Sequence, residues 1–268
     1  MRRVRLSELA EVAVEAAAAG GAVVRGRGPS GVRLKAAGDY VSEVDRASEA
    51  AITEILRART PGIALLAEEA GGPRGEERYW AVDPLDGTTN YLHGFPAVGV
   101  SVALVEADEP VVGVVHAPFL AGETWVGWKR GGAWRGSERL AVSSRPVAEA
   151  VVGTGFPFRR KDALPRYLAM FGHALERFED LRRPGAAALG LSWVAAGVFD
   201  GFFELSLGPW DVAAGALLIR EAGGVVTDWE GREDGFLASG DILAGPPAIH
   251  DALYALARNG GLTPEALG

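Results

Sequence analysis

The sequence predicts a mixed α/β (α+β) fold, and three patterns in its 268 residues carry that prediction. Apolar residues recur at helical spacing through roughly the first 60 positions. Short alternating or wholly apolar runs, the mark of strands, then dominate up to the middle of the chain. Beyond that, strand-length and helix-length segments alternate. A strand-rich first part and an α/β second part suggest two sub-domains in contact, residues 1–145 and 146–268, with a cleft between them.

Each element has a local reason. The stretch Leu6 to Val24 is apolar but interrupted by Glu8, Glu11 and Glu15. That is an amphipathic helix, expected over Ser7–Val24, and not the unbroken apolar segment of a signal peptide. A connector rich in Gly, Arg and Pro, Gly26 to Gly38, follows and is expected to be mobile. The second helix runs from Ser42 to Arg59 and is stopped by Pro61-Gly62; Ser42 and Asp45 fit a capping box. Strands are expected at Ile63–Ala67, Tyr79–Val82, Gly99–Glu106, Pro110–His116, Glu123–Trp128 and Arg139–Val142. Ala107-Asp108-Glu109, between two Val-rich runs, is a hairpin signal. After a strand at Val151–Gly153 come a helix at Leu164–Phe178, a small-residue helix at Gly185–Gly197 and a strand at Gly201–Leu205. A helix at Trp210–Ala222 ends at Gly223-Gly224 and is followed by strands Val225–Asp228 and Asp241–Ala244. A helix at Pro247–Arg258 is the last element.

Composition narrows the function. The chain is 48% hydrophobic and 23% charged, enough for a sizeable core. A net charge of −8 without a Lys/Arg block argues against a general nucleic-acid or membrane-surface binder. The absence of cysteine excludes disulfides, thiolate metal sites and thiol catalysis. No apolar run approaches the ~18 residues of a membrane span, so a cytoplasmic protein is expected.

The most informative segment is Trp80-Ala81-Val82-Asp83-Pro84-Leu85-Asp86-Gly87-Thr88-Thr89-Asn90. An apolar strand breaks at Pro84 and delivers two carboxylates, followed by a glycine and two hydroxyls. Carboxylates are hard oxygen ligands for a cation such as Mg²⁺, which is commonly shared with a substrate phosphate. Gly87 lets backbone approach an anion closely. The same residues also make an ordinary turn. Three further acidic positions stand out. Glu68-Glu69 end the apolar run Ile63–Ala67. Asp211 opens a helix, where the macrodipole favours an acid. Asp45 has its capping role. Each has a local explanation; gathered round one cleft they would form a multi-metal carboxylate cage. Two cations in such a cage can activate water on one side and stabilise a leaving oxygen on the other.

These segments resemble the inositol monophosphatase family of Mg²⁺-dependent, lithium-sensitive phosphatases. The matching stretches are Asp39-Tyr40-Val41-Ser42-Glu43-Val44-Asp45, Ala67-Glu68-Glu69, Asp83 to Tyr91 with Gly94-Phe95-Pro96, Trp210 to Gly215, and Glu221-Ala222-Gly223-Gly224. The resemblance implies a layered αβαβα sandwich of the inositol monophosphatase / fructose-1,6-bisphosphatase type. It implies that Glu68, Asp83 and the Leu85 carbonyl hold one Mg²⁺ and that Asp83, Asp86 and Asp211 hold a second. Glu68 would reach a third through water, giving two to three metals per site. Thr88, hydrogen-bonded to Asp45, would orient the attacking water, and Gly87 and Thr88 would contact the phosphate through their backbone. Glu204 and the Gly185-Ala186-Ala187 segment would line the substrate pocket; Arg182 and Arg183 are expected around it, where they could serve a second phosphate, or else form a solvated edge. Lys35 lies near the family's mobile-loop lysine, and His93 is read as structural.

The chain departs from the usual pattern at Ser42, Ala67 and Pro209, none of which removes a ligand. The implied activity is hydrolysis of a small phosphorylated polyol, inositol 1-phosphate first, by a homodimer. Fructose 1,6-bisphosphate, histidinol phosphate, NADP and 3′-phosphoadenosine nucleotides are the alternative substrates. A non-catalytic role with RNA polymerase or ribosome-assembly machinery is the alternative from another class.

Overall fold

The computed structural model describes residues 5–28, 33–36, 39–41, 43–72, 76–158 and 160–259. In chain order the elements are α1 (Leu6–Gly26), β1 (Arg33–Ala36), β2 (Asp39–Val41), α2 (Glu43–Arg59), β3 (Ala64–Ala67), β4 (Arg78–Asp86), α3 (Thr88–Leu92), β5 (Gly99–Glu106), β6 (Glu109–Ala117), β7 (Glu123–Trp128), β8 (Gly132–Arg135) and β9 (Glu138–Arg139). They continue with β10 (Val151–Thr154), α4 (Leu164–Arg177), β11 (Asp180–Arg182), α5 (Ala187–Ala195), β12 (Gly201–Glu204), α6 (Pro209–Glu221), β13 (Val225–Thr227), α7 (Phe236–Ser239), β14 (Ile242–Gly245) and α8 (Pro247–Asn259).

Strands β3 to β9 form one seven-stranded sheet in sequence order. It is antiparallel except for the parallel pair β3–β4. A second, five-stranded sheet has the order β11-β10-β12-β14-β13 and mixes parallel and antiparallel pairs. Period-2 alternation explains the layering. In β4, Trp80 and Val82 join the core shared with α1 and α2, whereas Tyr79 and Ala81 face the core built on α5 and α6. In β12, Phe202 packs toward α5 and α6 and Phe203 toward α4 and α8. The result is a five-layer αβαβα sandwich: α1/α2, the large sheet, α5/α6, the small sheet, α4/α8. The middle helices are apolar nearly all round, as burial between two sheets requires.

Most expected elements occur within a residue or two of their expected ends, and the differences have physical causes. β4 does not end before Pro84 but continues to Asp86. Asp83 opposes Ser101 and Asp86 opposes Gly99, so the strand gains one residue over its partner across this step. That is a bulge, where a residue lacking an N–H is tolerated. The strand expected at Arg139–Val142 is only the two-residue β9, and the sheet instead extends through β8. Part of the Gly26–Gly38 connector is the hairpin strand β1, paired with β2. Ser42, and with it the expected capping box, lies outside the described residues. The 107–108 hairpin is as expected: both residues have positive φ, 48° and 59°, as a two-residue type I′ turn requires.

Candidate active site

The β4 bulge builds the centre of the site. In a regular strand, residues three apart point to opposite faces. The extra residue between Asp83 and Asp86 cancels that alternation and turns both carboxylates to the same side. Helix α6 brings the third acid. Pro209 occupies its first turn, where no donor is lost. The Gly208 N–H donates to Asp211 Oδ2 at 2.6 Å, and Ser101 of β5 donates to the Trp210 carbonyl at 2.8 Å. The helix start is thereby fixed beside β4. One oxygen from each of Asp83, Asp86 and Asp211 lies within 4.8 Å of the others, and all three residues are buried.

The electrostatics are adverse in the bare protein. Burial pushes the Asp83 carboxyl well above the usual carboxylate range, with the charges of Glu68, Asp211 and Asp86 adding to the effect. Asp86 is pushed up to about 7, by burial first and then by Asp211. The N–H groups of Ala187 and Ala188 oppose that shift: they donate to Asp86 Oδ1 and Oδ2 at 3.2 and 2.8 Å. These are the first residues of α5, so one carboxylate ties the bulge to the middle layer. The side-chain charges that raise the two groups are all acidic: Glu68, Asp211 and Asp86 on Asp83, and Asp211 on Asp86. Hard oxygen donors, buried close together, fit a divalent cation of the Mg²⁺ type.

Thr88 opens the short helix α3. Its hydroxyl lies 3.1 Å from Asp45 Oδ1 and 3.2 Å from the Leu85 carbonyl, two acceptors for one hydrogen. Asp45 itself is fully buried on α2. Gly87 precedes α3 with φ +88°, and a Cβ there would sit 2.9 Å from the Ala97 carbonyl oxygen, so only glycine fits.

A cavity of about 390 Å³ joins these groups to the small sheet. Glu68, Asp83, Leu85, Asp86, Gly87, Thr88 and Asp211 line it at one end. Gly185, Ala187, Glu204 and Arg183 line it further out, with Phe156 and Phe158. The Arg183 guanidinium lies 5.2 Å above the Phe156 ring and 5.5 Å above that of Phe158. The sequence-predicted residues are thus brought together, with Asp45 reaching the cavity through Thr88. Arg182 is not in the cavity wall and pairs with Asp180. His93 is exposed at the end of α3, outside the lining. Lys35 falls in β1, and its side chain lies outside the described residues.

Sequence reasoning missed several contributors. The Asn90 amide donates to the Ala97 and Pro184 carbonyls at 2.7 and 2.9 Å, stapling the aspartate loop to the segment before α5. Its place inside the Gly-Thr-Thr-Asn run was a signal. Ser48, Glu49 and the Phe156/Phe158 pair carried none beyond helical spacing and apolar character.

Five alternating layers around a buried carboxylate centre define a mixed sandwich of the αβαβα class. Within it, the chain belongs to the inositol monophosphatase family, whose model matches residues 5–261. It is 43% identical over 225 residues to an inositol-1-monophosphatase of Mesorhizobium japonicum, covering 83% of this chain and 84% of that one. It is 44% identical over 218 residues to a putative Nus factor SuhB of Neisseria meningitidis serogroup B, covering 80% and 83%. The solved structure of an inositol monophosphatase from Anabaena (Nostoc) sp. PCC 7120 superposes with a TM-score of 0.87 at 37% identity, covering 99% of this chain and 100% of that one.

Proposed function

We propose that the protein is a Mg²⁺-dependent, lithium-sensitive phosphatase whose principal substrate is inositol 1-phosphate, acting as a cytoplasmic homodimer. The convergence of Asp83, Asp86 and Asp211 at the end of a cavity that also holds the Thr88–Asp45 pair carries this reading. Glu68, Asp83 and the Leu85 carbonyl would hold one cation, and Asp83, Asp86 and Asp211 another. When bound, the cations supply the positive charge that lets a phosphate enter an acidic site and that acidifies water.

The chain's own groups do the rest. The Thr88 hydroxyl gives its hydrogen to Asp45, leaving oxygen lone pairs directed at a water. As that water attacks phosphorus in line, its proton passes to Thr88 Oγ1 while the Thr88 proton moves to Asp45. The bond from phosphorus to the inositol oxygen breaks, and the alkoxide takes a proton from solvent. No covalent intermediate on the protein is needed. Gly87 and Thr88 hold the phosphate through backbone N–H groups. Glu204 accepts hydrogen bonds from ring hydroxyls, and Arg183, braced on two aromatic faces, bounds the outer pocket. The test is phosphate release from a panel of phosphorylated polyols, sugar bisphosphates and nucleotides with Mg²⁺, with and without Li⁺. No release from any monoester would sink the proposal.

The relatives named Nus factor SuhB favour a second reading, a binding role in transcription or ribosome assembly that needs no catalysis. Asp83→Asn separates the two. A cellular phenotype that survives the loss of phosphatase activity would belong to binding. Among the described residues, no helix is long and apolar enough to cross a membrane.

A further inference from the structure

One face of α2 reaches three segments that line the acidic site: the β4 bulge, the start of α3 and the Glu68 turn. Asp45, Ser48 and Glu49 stand at i, i+3 and i+4, so they share a face, and all three are buried. Asp45 meets Thr88 at the start of α3. Ser48 Oγ donates to the Pro84 carbonyl at 2.8 Å, inside the bulge that separates Asp83 from Asp86. Glu49 accepts the N–H of Glu69 on Oε2 at 2.9 Å and that of Ala70 on Oε1 at 3.0 Å. Those two residues follow Glu68 in a turn closed by paired Ala67–Gly71 backbone bonds, and the Glu68 N–H donates to Val82 of β4.

We propose that Ser48 and Glu49 are positioning residues, holding the Asp83–Asp86 bulge and the Glu68 turn at the separation needed to bind a divalent cation. The proposal rests on the reading of those acids as metal ligands. A buried carboxylate is costly unless it is hydrogen-bonded, and both oxygens of Glu49 are used on one turn. A bulge carbonyl leaves the sheet ladder, and Ser48 supplies the donor that the Pro84 carbonyl takes up instead. The helix has a fixed rise, so its three side chains help set the spacing between the three segments they bind. Neither residue is a ligand; each acts through backbone that ligands depend on.

The variants are Glu49→Gln and Ser48→Ala, and the probe is Mn²⁺ binding to the metal-free protein by isothermal titration calorimetry. Glu49→Gln turns an amide NH₂ toward one of the two backbone donors and should weaken Mn²⁺ binding on the order of 10-fold or more, as loss of outer partners of metal ligands does. Ser48→Ala removes one atom with little risk to folding and should weaken binding several-fold. At saturating Mg²⁺, KM for the substrate should stay near the wild-type value while the half-activating Mg²⁺ concentration rises. Wild-type Mn²⁺ affinity in both variants would overturn the proposal, as would lowered melting temperature of the metal-free variants with metal affinity unchanged. If the wild type binds no Mn²⁺, or Asp83→Asn binds it equally well, the metal reading itself falls, a result separate from variants that match a binding wild type.

Discussion

Asp83→Asn should move stability in opposite directions depending on the cation. Asp83 is buried with acid oxygens of Asp86 and Asp211 within 4.8 Å, and Glu68 adds a further charge. At that distance and an effective dielectric constant of about 20, two like charges repel by about 3.5 kcal/mol. Burial is the larger cause of the raised carboxyls, and protonation relieves it together with part of this repulsion. The Asp86 shift, from 3.8 to about 7, corresponds to about 4 kcal/mol. Asparagine keeps the Oδ1 acceptor for the Leu85 N–H, 2.9 Å away in the wild type, and removes one charge. Metal-free Asp83→Asn should therefore be more stable than metal-free wild type by about 3 kcal/mol at pH 8. For a chain of this length that is a rise of about 5 °C in melting temperature. With Mg²⁺ at a hundred times its Kd, the wild type should gain about 2.7 kcal/mol, again about 5 °C, and the variant almost nothing. Differential scanning calorimetry in EDTA and in Mg²⁺ reads both quantities, and phosphate release should be lost in the variant. An EDTA melting point at or below wild type, or an undiminished Mg²⁺ shift, would refute the electrostatic reasoning.

Three other outcomes are expected. Thr88→Ala should lower kcat by about 10²- to 10⁴-fold with Mn²⁺ affinity retained, and Thr88→Ser should recover most of it, in steady-state assays paired with calorimetry. Asp83 and Asp86 have raised pKa values when folded, so the native metal-free state binds more protons than the unfolded one. The Asp86 contribution to stability is then complete below about pH 4 and is lost as pH rises through about 7, with Asp83 acting in the same direction, so the melting temperature in EDTA should fall across that window, and a rise would contradict the assignment. Gly113→Ala would put a Cβ 2.7 Å from the Ala214 carbonyl oxygen and 3.0 Å from its Cα, where sheet meets α6. Neither backbone can yield cheaply, so urea unfolding should show a loss of about 1–3 kcal/mol, with activity lowered too because α6 carries Asp211.

What the sequence could reveal followed from whether the cause was local. β5 and β7 were placed to the residue because continuous β-branched and aromatic runs have no other use at that length. β8 and β11 were missed. Their short, partly charged segments become strands only by pairing with neighbours, and no local pattern records that. The acids of the site were legible as residue types at distinctive positions, Asp83 and Asp86 most of all. Their convergence was not, since it depends on a bulge register and on α6 lying against β5. Ser48 and Glu49 were least visible, because each reaches backbone 20 or more positions away, and any helix offers buried small and acidic residues. The segment after β9 shows the opposite error: an apolar pattern at Arg139–Val142 suggested a longer strand than its pairing supports.

The bond between Asp86 and the first turn of α5 joins residues 101 and 102 positions apart. Translation at roughly 5–20 residues per second separates their emergence from the ribosome by on the order of 5–20 s. During that interval the nascent chain carries the aspartate loop without the two N–H groups that offset its charge, and without Asp211. On the proposed ligand assignment the cation shared by Asp83, Asp86 and Asp211 would therefore be held only late in biosynthesis, once the central helices have closed over the first sheet, whereas Glu68, Asp83 and Leu85 are all in the chain before them.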